Sequence, residues 1–186
     1  MTTPPRPRVV VTVGGDHHPF TRLMHWLDAW LATPSGQHCQ LFVQHGTAAP
    51  PRLAAEAAPF LDHDLLLARL HAADAVVTSA GPSTVSECRR VGVLPIAVPR
   101  RAALGEVVDD HQLLFIRSLA RRQLAFVAET QAELLRLLDR ACADPGTFRL
   151  PDPVAAQAAV SRTVGSIGEQ IDRHVAMTRA RRRAFI

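Results

Sequence analysis

The sequence predicts an α/β domain with a mostly parallel sheet covered by helices on both faces. Three observations carry this prediction. Segments with strand character alternate with segments of helical periodicity, the strands are nearly continuous apolar runs, and several strands end at glycine just before a helix. With 186 residues, 47% hydrophobic and 20% charged, the chain is large enough to bury one core.

The first predicted unit is a buried strand over Arg8–Val13 that ends at Gly14 and Gly15. The next helix is expected to begin near Pro19, because proline is favoured at the first helical position. Its apolar face consists of Phe20, Leu23, Met24, Leu27 and Leu31. The chain then continues with a strand over 40–46, a loop over 47–58, a short helix over 65–70 and a strand over 75–78.

The second half repeats this alternation and makes the predicted fold Rossmann-like. A helix follows the turn at 79–82, and Thr130 with Glu133 forms a capping box at the start of a later helix. The remaining predicted elements are a helix at 83–91, a strand at 94–99, a helix at 109–121, a strand at 123–128 and a helix at 130–143. Residues 1–150 are expected to form the domain, and 151–186 a C-terminal helix with an arginine-rich tail.

Composition excludes several classes of protein. No apolar run reaches the roughly 18 residues that span a bilayer, and the N-terminus lacks signal-peptide character, so we expect a cytoplasmic protein. Cys39, Cys88 and Cys142 are odd in number and widely spaced, which predicts neither a disulfide framework nor a thiol zinc site.

The positive charge consists entirely of arginine and gives a net charge of +4. Arg179 and the run 181–183 concentrate part of it near the C-terminus. This cluster is either a solvated tail or a contact for an anionic surface, of lipid or of a partner protein. Aromatic residues are not interleaved with it, so nucleic acid is not an expected partner.

The first candidate ligand-binding segment follows the first strand. Gly14 and Gly15 precede a helix, where backbone amides can approach an anion and the helix dipole favours negative charge. His17 and His18 add groups that transfer protons near neutral pH. The alternative is that they are surface residues, one of them capping the helix. No metal site is predicted, because adjacent residues rarely supply two ligands to one ion.

The second candidate segment runs from Ser79 to Glu87. Gly81 permits a close backbone approach, Pro82 suits the first helical position, and the hydroxyls of Ser83 and Thr84 join the free amides of the first turn in a phosphate cradle. The alternative is a simple capping box between Thr84 and Glu87. With Pro82 as the first helical residue, Glu87 falls in the second turn, where it could accept both hydroxyls of a ribose.

The third candidate segment lies between 100 and 112. Asp109 and Gln112 could form another capping box. Alternatively, the segment offers a dense set of hydrogen-bonding groups to a polyhydroxylated ligand. This set comprises Arg100, Arg101, Glu106, Asp110, His111 and Gln112.

These segments, in this order, resemble the C-terminal, donor-binding domain of glycosyltransferase family 28. The resemblance rests on 13–20, 43–46, Gly81–Thr84 with Glu87, and 98–112, and it covers roughly residues 8–142. Within this family the chain is most similar to the small PssE-type subunits of bacterial exopolysaccharide synthesis. The resemblance implies the C-terminal half of a GT-B fold.

The resemblance also implies a function. The domain would bind a nucleotide sugar, usually a UDP-sugar, without a metal or other cofactor, and a separate membrane-associated subunit would bind the acceptor. Gly81–Thr84 would hold the diphosphate, Glu87 the ribose, and His111 and Gln112 the sugar. The segment from Gly14 to His17 would face the acceptor, with His17 as the candidate general base.

One residue departs from the family pattern. Relatives commonly have histidine where this chain has Ser79, and serine reaches less far and carries no charge. Arg100 or Arg101 would then have to compensate at the diphosphate. The departure favours an alternative hypothesis, a non-catalytic subunit that binds a nucleotide sugar or stabilises a membrane glycosyltransferase. A nucleotide-sugar epimerase is disfavoured, because such an enzyme needs a second domain.

Overall fold

The computed structural model describes residues 6–79, 81–109 and 111–150, without the side chains of 111, 112 and 114. The expectations for the C-terminal helix and the arginine-rich tail lie outside the described residues.

Six parallel strands form one sheet in the order β3-β2-β1-β4-β5-β6. This arrangement confirms the predicted Rossmann-like fold. The strands are β1 (Arg8–Thr12), β2 (Gln40–Gln44), β3 (Glu56–Ala58), β4 (Ala75–Thr78), β5 (Ile96–Ala97) and β6 (Phe126–Val127).

Helices cover both faces of the sheet. They are α1 (Thr21–Leu31), α2 (Pro34–His38), α3 (His63–Ala72), α4 (Pro82–Arg90), α5 (His111–Arg121) and α6 (Gln131–Ala143). Short 3₁₀ turns occupy Ala102–Leu104 and Pro145–Phe148. Helices α1, α2 and α6 contact one another, and α3 contacts α4.

Side chains of β1 show how the core is divided. Val9 and Val11 belong to the large cluster that contains the apolar face of α1, whereas Val10 packs with residues of α3 and α4. Successive side chains of a strand point to opposite faces, so a strand covered on both sides must be apolar throughout. This requirement explains the three consecutive valines at the centre of β1, Val9 to Val11.

Most predicted elements are confirmed, and the differences have local causes. Helix α1 begins at Thr21 rather than near Pro19, because Phe20 is the N-cap residue and its carbonyl accepts the amides of Leu23 and Met24. The three-residue strand β3 lies in the predicted loop 47–58, and α2 was not predicted. Helix α5 begins at His111, two residues later than expected.

The capping box of α6 is confirmed. The amide of Glu133 donates to the Thr130 hydroxyl at 3.3 Å, and the amide of Thr130 donates to the Glu133 carboxylate at 3.0 Å. The apolar face predicted for α1 is buried in full.

The cysteines correct one expectation. The structure pairs Cys39, at the start of β2, with Cys142, at the end of α6, where none was predicted. Their Cα atoms are 7.0 Å apart, just above the usual range for a disulfide. Burial raises the pKa of the remaining thiol, Cys88, which makes it unreactive.

Among the described residues, no helix combines the length and the apolar character needed to cross a membrane.

The close approach of α2 to the end of α1 predicts that Gly36→Ala destabilises the fold. A Cβ at Gly36 would lie 2.2 Å from the Trp30 carbonyl oxygen, so the backbone must shift. Overpacking of this kind costs about 3 kcal/mol. The measurement is urea unfolding, with Gly15→Ala as the control, since a Cβ at Gly15 meets nothing within 4 Å. Equal stability of the two variants would contradict the prediction.

Candidate functional site

The sheet places the candidate site at the carboxyl ends of β1 and β4. From β1 the chain adds β2 and β3 on one side of the sheet and then crosses to add β4, β5 and β6 on the other side. The position between β1 and β4 is therefore the topological switch point of the sheet. Ligands of open parallel sheets bind in the crevice formed there. Thr12 pairs with Thr78, so the segments that begin at 13 and 79 leave the sheet side by side.

The glycine turn after β1 lies against the end of β4. Gly14 has φ +72°, a conformation that favours glycine, and a Cβ there would lie 3.8 Å from Ser79 Oγ. Two buried side chains support the turn from below: Thr12 donates to Gln44, and Gln44 Nε2 donates to the Gly14 carbonyl at 3.3 Å. The turn is therefore held in one shape by the polar core beneath it.

Helix α4 begins as the sequence predicts, with Pro82 as its first residue. Gly81 is the N-cap and has no side chain to bond the first turn, while the Val85 amide makes the first helical bond, to the Gly81 carbonyl at 3.1 Å. The amides of Ser83 and Thr84 precede that bond and have no acceptor in the helix. They offer an anion two donors at the positive end of the helix dipole.

Glu87 lies in the second turn of α4, which excludes the simple capping box with Thr84. Its side chain is 22% exposed, and one carboxylate oxygen lies 3.6 Å from Nδ1 of His63 at the start of α3. The carboxylate is therefore accessible and faces α3.

The acidic and imidazole groups after β1 form a compact cluster. Asp16 Oδ1 accepts from the backbone amide of His18 at 2.8 Å and lies 2.7 Å from His18 Nδ1. Burial raises the pKa of Asp16, but these hydrogen bonds and the charge of Arg100 outweigh it, and the net shift is downward. Asp16 is thus a carboxylate, so His18 Nδ1 is the donor.

His17 and His18 have different environments. The side chain of His17 is 83% exposed, whereas that of His18 is 23% exposed, and their ring centroids are 4.0 Å apart. His17 can therefore reach a molecule bound outside this domain, while Asp16 fixes the orientation of His18.

Asp16, His17 and His18 are also the group, within the part of the chain that the structure describes, that could hold a metal ion. Ligand atoms of Asp16, His17 and His18 lie within 4.8 Å of one another. However, the Asp16 oxygen and His18 Nδ1 already bond each other.

Ser79 and Arg100 are placed differently from the expectation. Ser79 is buried, and its hydroxyl donates to the Val13 carbonyl at 2.9 Å. Arg100 is 1% exposed, and its guanidinium donates to three backbone carbonyls. Burial lowers the pKa of Arg100, which the carboxylates of Asp16 and Glu106 oppose. Both side chains bond the protein itself, rather than presenting donors to the crevice.

Glu106 was expected to bind a polyhydroxylated ligand, but its carboxylate bonds to Arg22 of α1. Arg22 Nε and Nη2 donate to the two carboxylate oxygens at 2.9 and 2.7 Å, and the Arg101 amide also donates to Glu106, at 2.9 Å. The Arg22 guanidinium stacks on the Trp26 ring at 4.6 Å. This bidentate pair fixes the loop between β5 and α5.

His111 and Gln112 are the first two residues of α5, which follows the strand next to β4. Their positions suit the expected sugar contact, but their side chains lie outside the described residues.

Sequence reasoning missed two residues, His63 and Phe60. His63 contacts Glu87, and Phe60, three residues earlier, is 52% exposed just after β3. Phe60 was overlooked because β3 was not predicted. An aromatic residue directly after a stretch of alanine and proline is the sequence signal that could have indicated it.

Fold and site together define the chain as an α/β domain in which a helix without a side-chain cap begins at the switch point of its sheet. The family model described as "Glycosyltransferase family 28 C-terminal domain" matches residues 8–158. The chain therefore belongs to the glycosyltransferase family 28 C-terminal domain family.

One curated relative is a UDP-N-acetylglucosamine--N-acetylmuramyl-(pentapeptide) pyrophosphoryl-undecaprenol N-acetylglucosamine transferase from Psychrobacter arcticus. It is 36% identical over 116 residues, which cover 57% of this chain and 30% of the relative. The chain therefore spans about a third of that protein.

Three solved structures share the fold. Acinetobacter baumannii MurG superimposes with a TM-score of 0.51 at 20% identity, covering 91% of this chain and 51% of MurG. The glycotransferase of kitacinnamycin superimposes with a TM-score of 0.55 at 16% identity. The match covers 94% of this chain and 43% of the glycotransferase. Glycosyltransferase VinC, solved in complex with dTDP, superimposes with a TM-score of 0.52 at 23% identity. The match covers 92% of this chain and 43% of VinC. The domain thus has the fold of about half of a GT-B glycosyltransferase.

The Arg22–Glu106 pair predicts that Glu106→Gln destabilises the domain. The side chains are 16% and 5% exposed, and removing one charge from a buried pair leaves the other uncompensated, at a cost of about 3 kcal/mol. Denaturant unfolding measures the change. The control is Glu56→Gln, because Glu56 is 62% exposed in its pair with Arg69, and such a pair contributes below about 1 kcal/mol. Equal effects would refute the prediction.

Proposed function

We propose that this chain is the donor-binding subunit of a two-component glycosyltransferase. It binds a nucleotide sugar of the UDP-sugar class, and a separate membrane-associated subunit binds a lipid-linked or polysaccharide acceptor. The observation that carries the proposal is the uncapped N-terminus of α4 at the switch point of a family 28 domain. The PssE-type subunits of exopolysaccharide synthesis are the proposed relatives in function.

The diphosphate is assigned to the first turn of α4. The amides of Ser83 and Thr84 and the Thr84 hydroxyl donate to its oxygens, and Gly81 allows the close approach. These donors also stabilise the negative charge that develops on the leaving nucleoside diphosphate. The Gly14-Gly15 turn closes the other side of the crevice.

The nucleoside is assigned to the side of the crevice next to α3. Glu87 accepts the ribose hydroxyls, and the exposed ring of Phe60 offers a face on which a base can stack. The residues at the start of α5, His111 and Gln112, are assigned to the sugar.

Transfer to an acceptor requires a general base that faces the second subunit. We assign this role to His17, because its ring is exposed at the carboxyl end of the sheet, where the acceptor must approach. No step is assigned to a metal or another cofactor. In this scheme the base removes the acceptor hydroxyl proton as the acceptor oxygen attacks the anomeric carbon and the nucleoside diphosphate leaves.

The second half of the cleft is assigned to the acceptor-binding subunit. The chain covers 43–51% of the solved glycosyltransferases that share its fold. A partner would then supply the other half of the cleft and bring this subunit to the inner face of the membrane.

A non-catalytic subunit is the alternative function. The positions of Ser79 and Arg100 favour it, because neither side chain supplies the charged donor that relatives with histidine would place at the diphosphate.

Nucleotide binding tests the site. We expect UDP and UDP-sugars to raise the melting temperature of the purified chain. Glu87→Ala should weaken UDP binding on the order of 10-fold, since a carboxylate that accepts two hydroxyls contributes at least about 1.4 kcal/mol. Glu56→Ala is the matched control, because the Glu56 carboxylate is exposed and pairs with Arg69 rather than with a group at the candidate site. Absence of any shift with UDP-sugars would refute the donor-binding assignment.

Transfer activity of the reconstituted pair tests the general base. We expect His17→Gln to lower kcat by roughly 100-fold while UDP affinity is unchanged, as for loss of a general base. His18→Gln is the comparison, because its ring is held by Asp16. A larger loss of kcat for His18→Gln would transfer the role to His18, and full activity of both variants would exclude either as the base.

A further inference from the structure

The carbonyl oxygen of Val13 is a junction between three strand ends. Ser79 Oγ donates to it at 2.9 Å, and Arg100 Nη2 donates to it at 3.1 Å. Val13 follows β1, Ser79 follows β4, and Arg100 follows β5 by three residues. These strands are neighbours on the two sides of the candidate crevice.

The other end of the Arg100 guanidinium extends this connection. Nη1 donates to the His18 carbonyl at 2.7 Å and to the Glu106 carbonyl at 2.9 Å. Val13 and His18 are the residues that directly precede and follow the segment 14–17. One side chain therefore holds both ends of the segment that carries the glycine turn and the proposed base.

Arginine is suited to this role for two reasons. Its rigid fork can donate to carbonyls that lie in different directions, which the single ammonium of lysine cannot do. Its charge is buried over the Phe20 ring at 4.7 Å, where an unpaired cation is costly and is retained only with well-placed acceptors.

We propose that Arg100 is a positioning residue: it sets the shape of the loop from Gly14 to His17 relative to the start of α4, without touching the nucleotide. Arg100 thereby controls both the width of the diphosphate crevice and the direction in which His17 points. The inference rests on the proposed function for its effect on the nucleotide, but the effect on the loop is independent of that function.

The test uses Arg100→Lys and Arg100→Met in the full chain. Arg89→Met is the matched control, because Arg89 is also buried, lies in the last turn of α4 and donates to the Leu124 carbonyl. Two measurements are made at a temperature at which circular dichroism shows each variant folded. These are the dissociation constant for UDP and the NMR signals of the His17 and His18 rings without nucleotide.

We expect both Arg100 variants to move the two histidine signals and to weaken UDP binding by about 10-fold or more, as for a displaced loop in a site. Arg89→Met should change neither measurement. Ser79→Ala leaves Arg100 in place and should keep UDP affinity within about 3-fold, because a single neutral hydroxyl hydrogen bond contributes little net free energy.

Three results would overturn the inference. If the Arg100 variants bind UDP as well as the wild type and leave the histidine signals unmoved, Arg100 positions nothing. If they lose UDP binding with unmoved signals, Arg100 contacts the nucleotide directly. If the wild type itself fails to bind UDP while the signals of the variants move, the proposed function fails and the claimed effect on the nucleotide fails with it.

Discussion

A buried guanidinium is the constraint on which the candidate site depends. Arg100 is almost inaccessible to water, so its charge requires protein acceptors, and the ends of three segments provide them: Val13, His18 and Glu106. The carboxylates of Asp16 and Glu106 offset the charge from two sides. Moving any of these segments would leave a buried donor without an acceptor, which is costly in a medium of low dielectric constant. The shape of the crevice therefore depends on the acceptors of the two Nη atoms of Arg100, while Nε is buried without a hydrogen-bond partner among the described residues.

The polar groups around the crevice divide into two sets. The hydroxyl of Ser79 and the carboxylate of Glu106 are satisfied within the protein and stabilise the loops. The first amides of α4 remain available, because Gly81 has no side chain to cap them. A rigid surround and a free helix terminus together provide preorganised donors, and preorganisation is what lowers the cost of binding a charged ligand. The ring of His17, in contrast, remains exposed.

The parts predicted from the sequence are those fixed by local interactions. The valines of β1, the start of α4 at Pro82 and the capping box at Thr130 depend on neighbours along the chain, and each is confirmed. Strand β3 was missed because its three residues include two alanines and are a strand only through pairing with β2. The pairing of Cys39 with Cys142 depends on an approach across 103 residues that no local pattern indicates.

The sequence by itself determined the alternation of strands and helices, hence the fold, the switch point and the helix terminus available to an anion. Only the tertiary structure decided which polar side chains face that anion and which bond to the protein. Ser79, Arg100 and Glu106 all suit a ligand in composition, yet each meets a partner 66 to 84 residues away in the chain. Such a partner is set by how the loops pack over the sheet, which spacing along the chain does not encode.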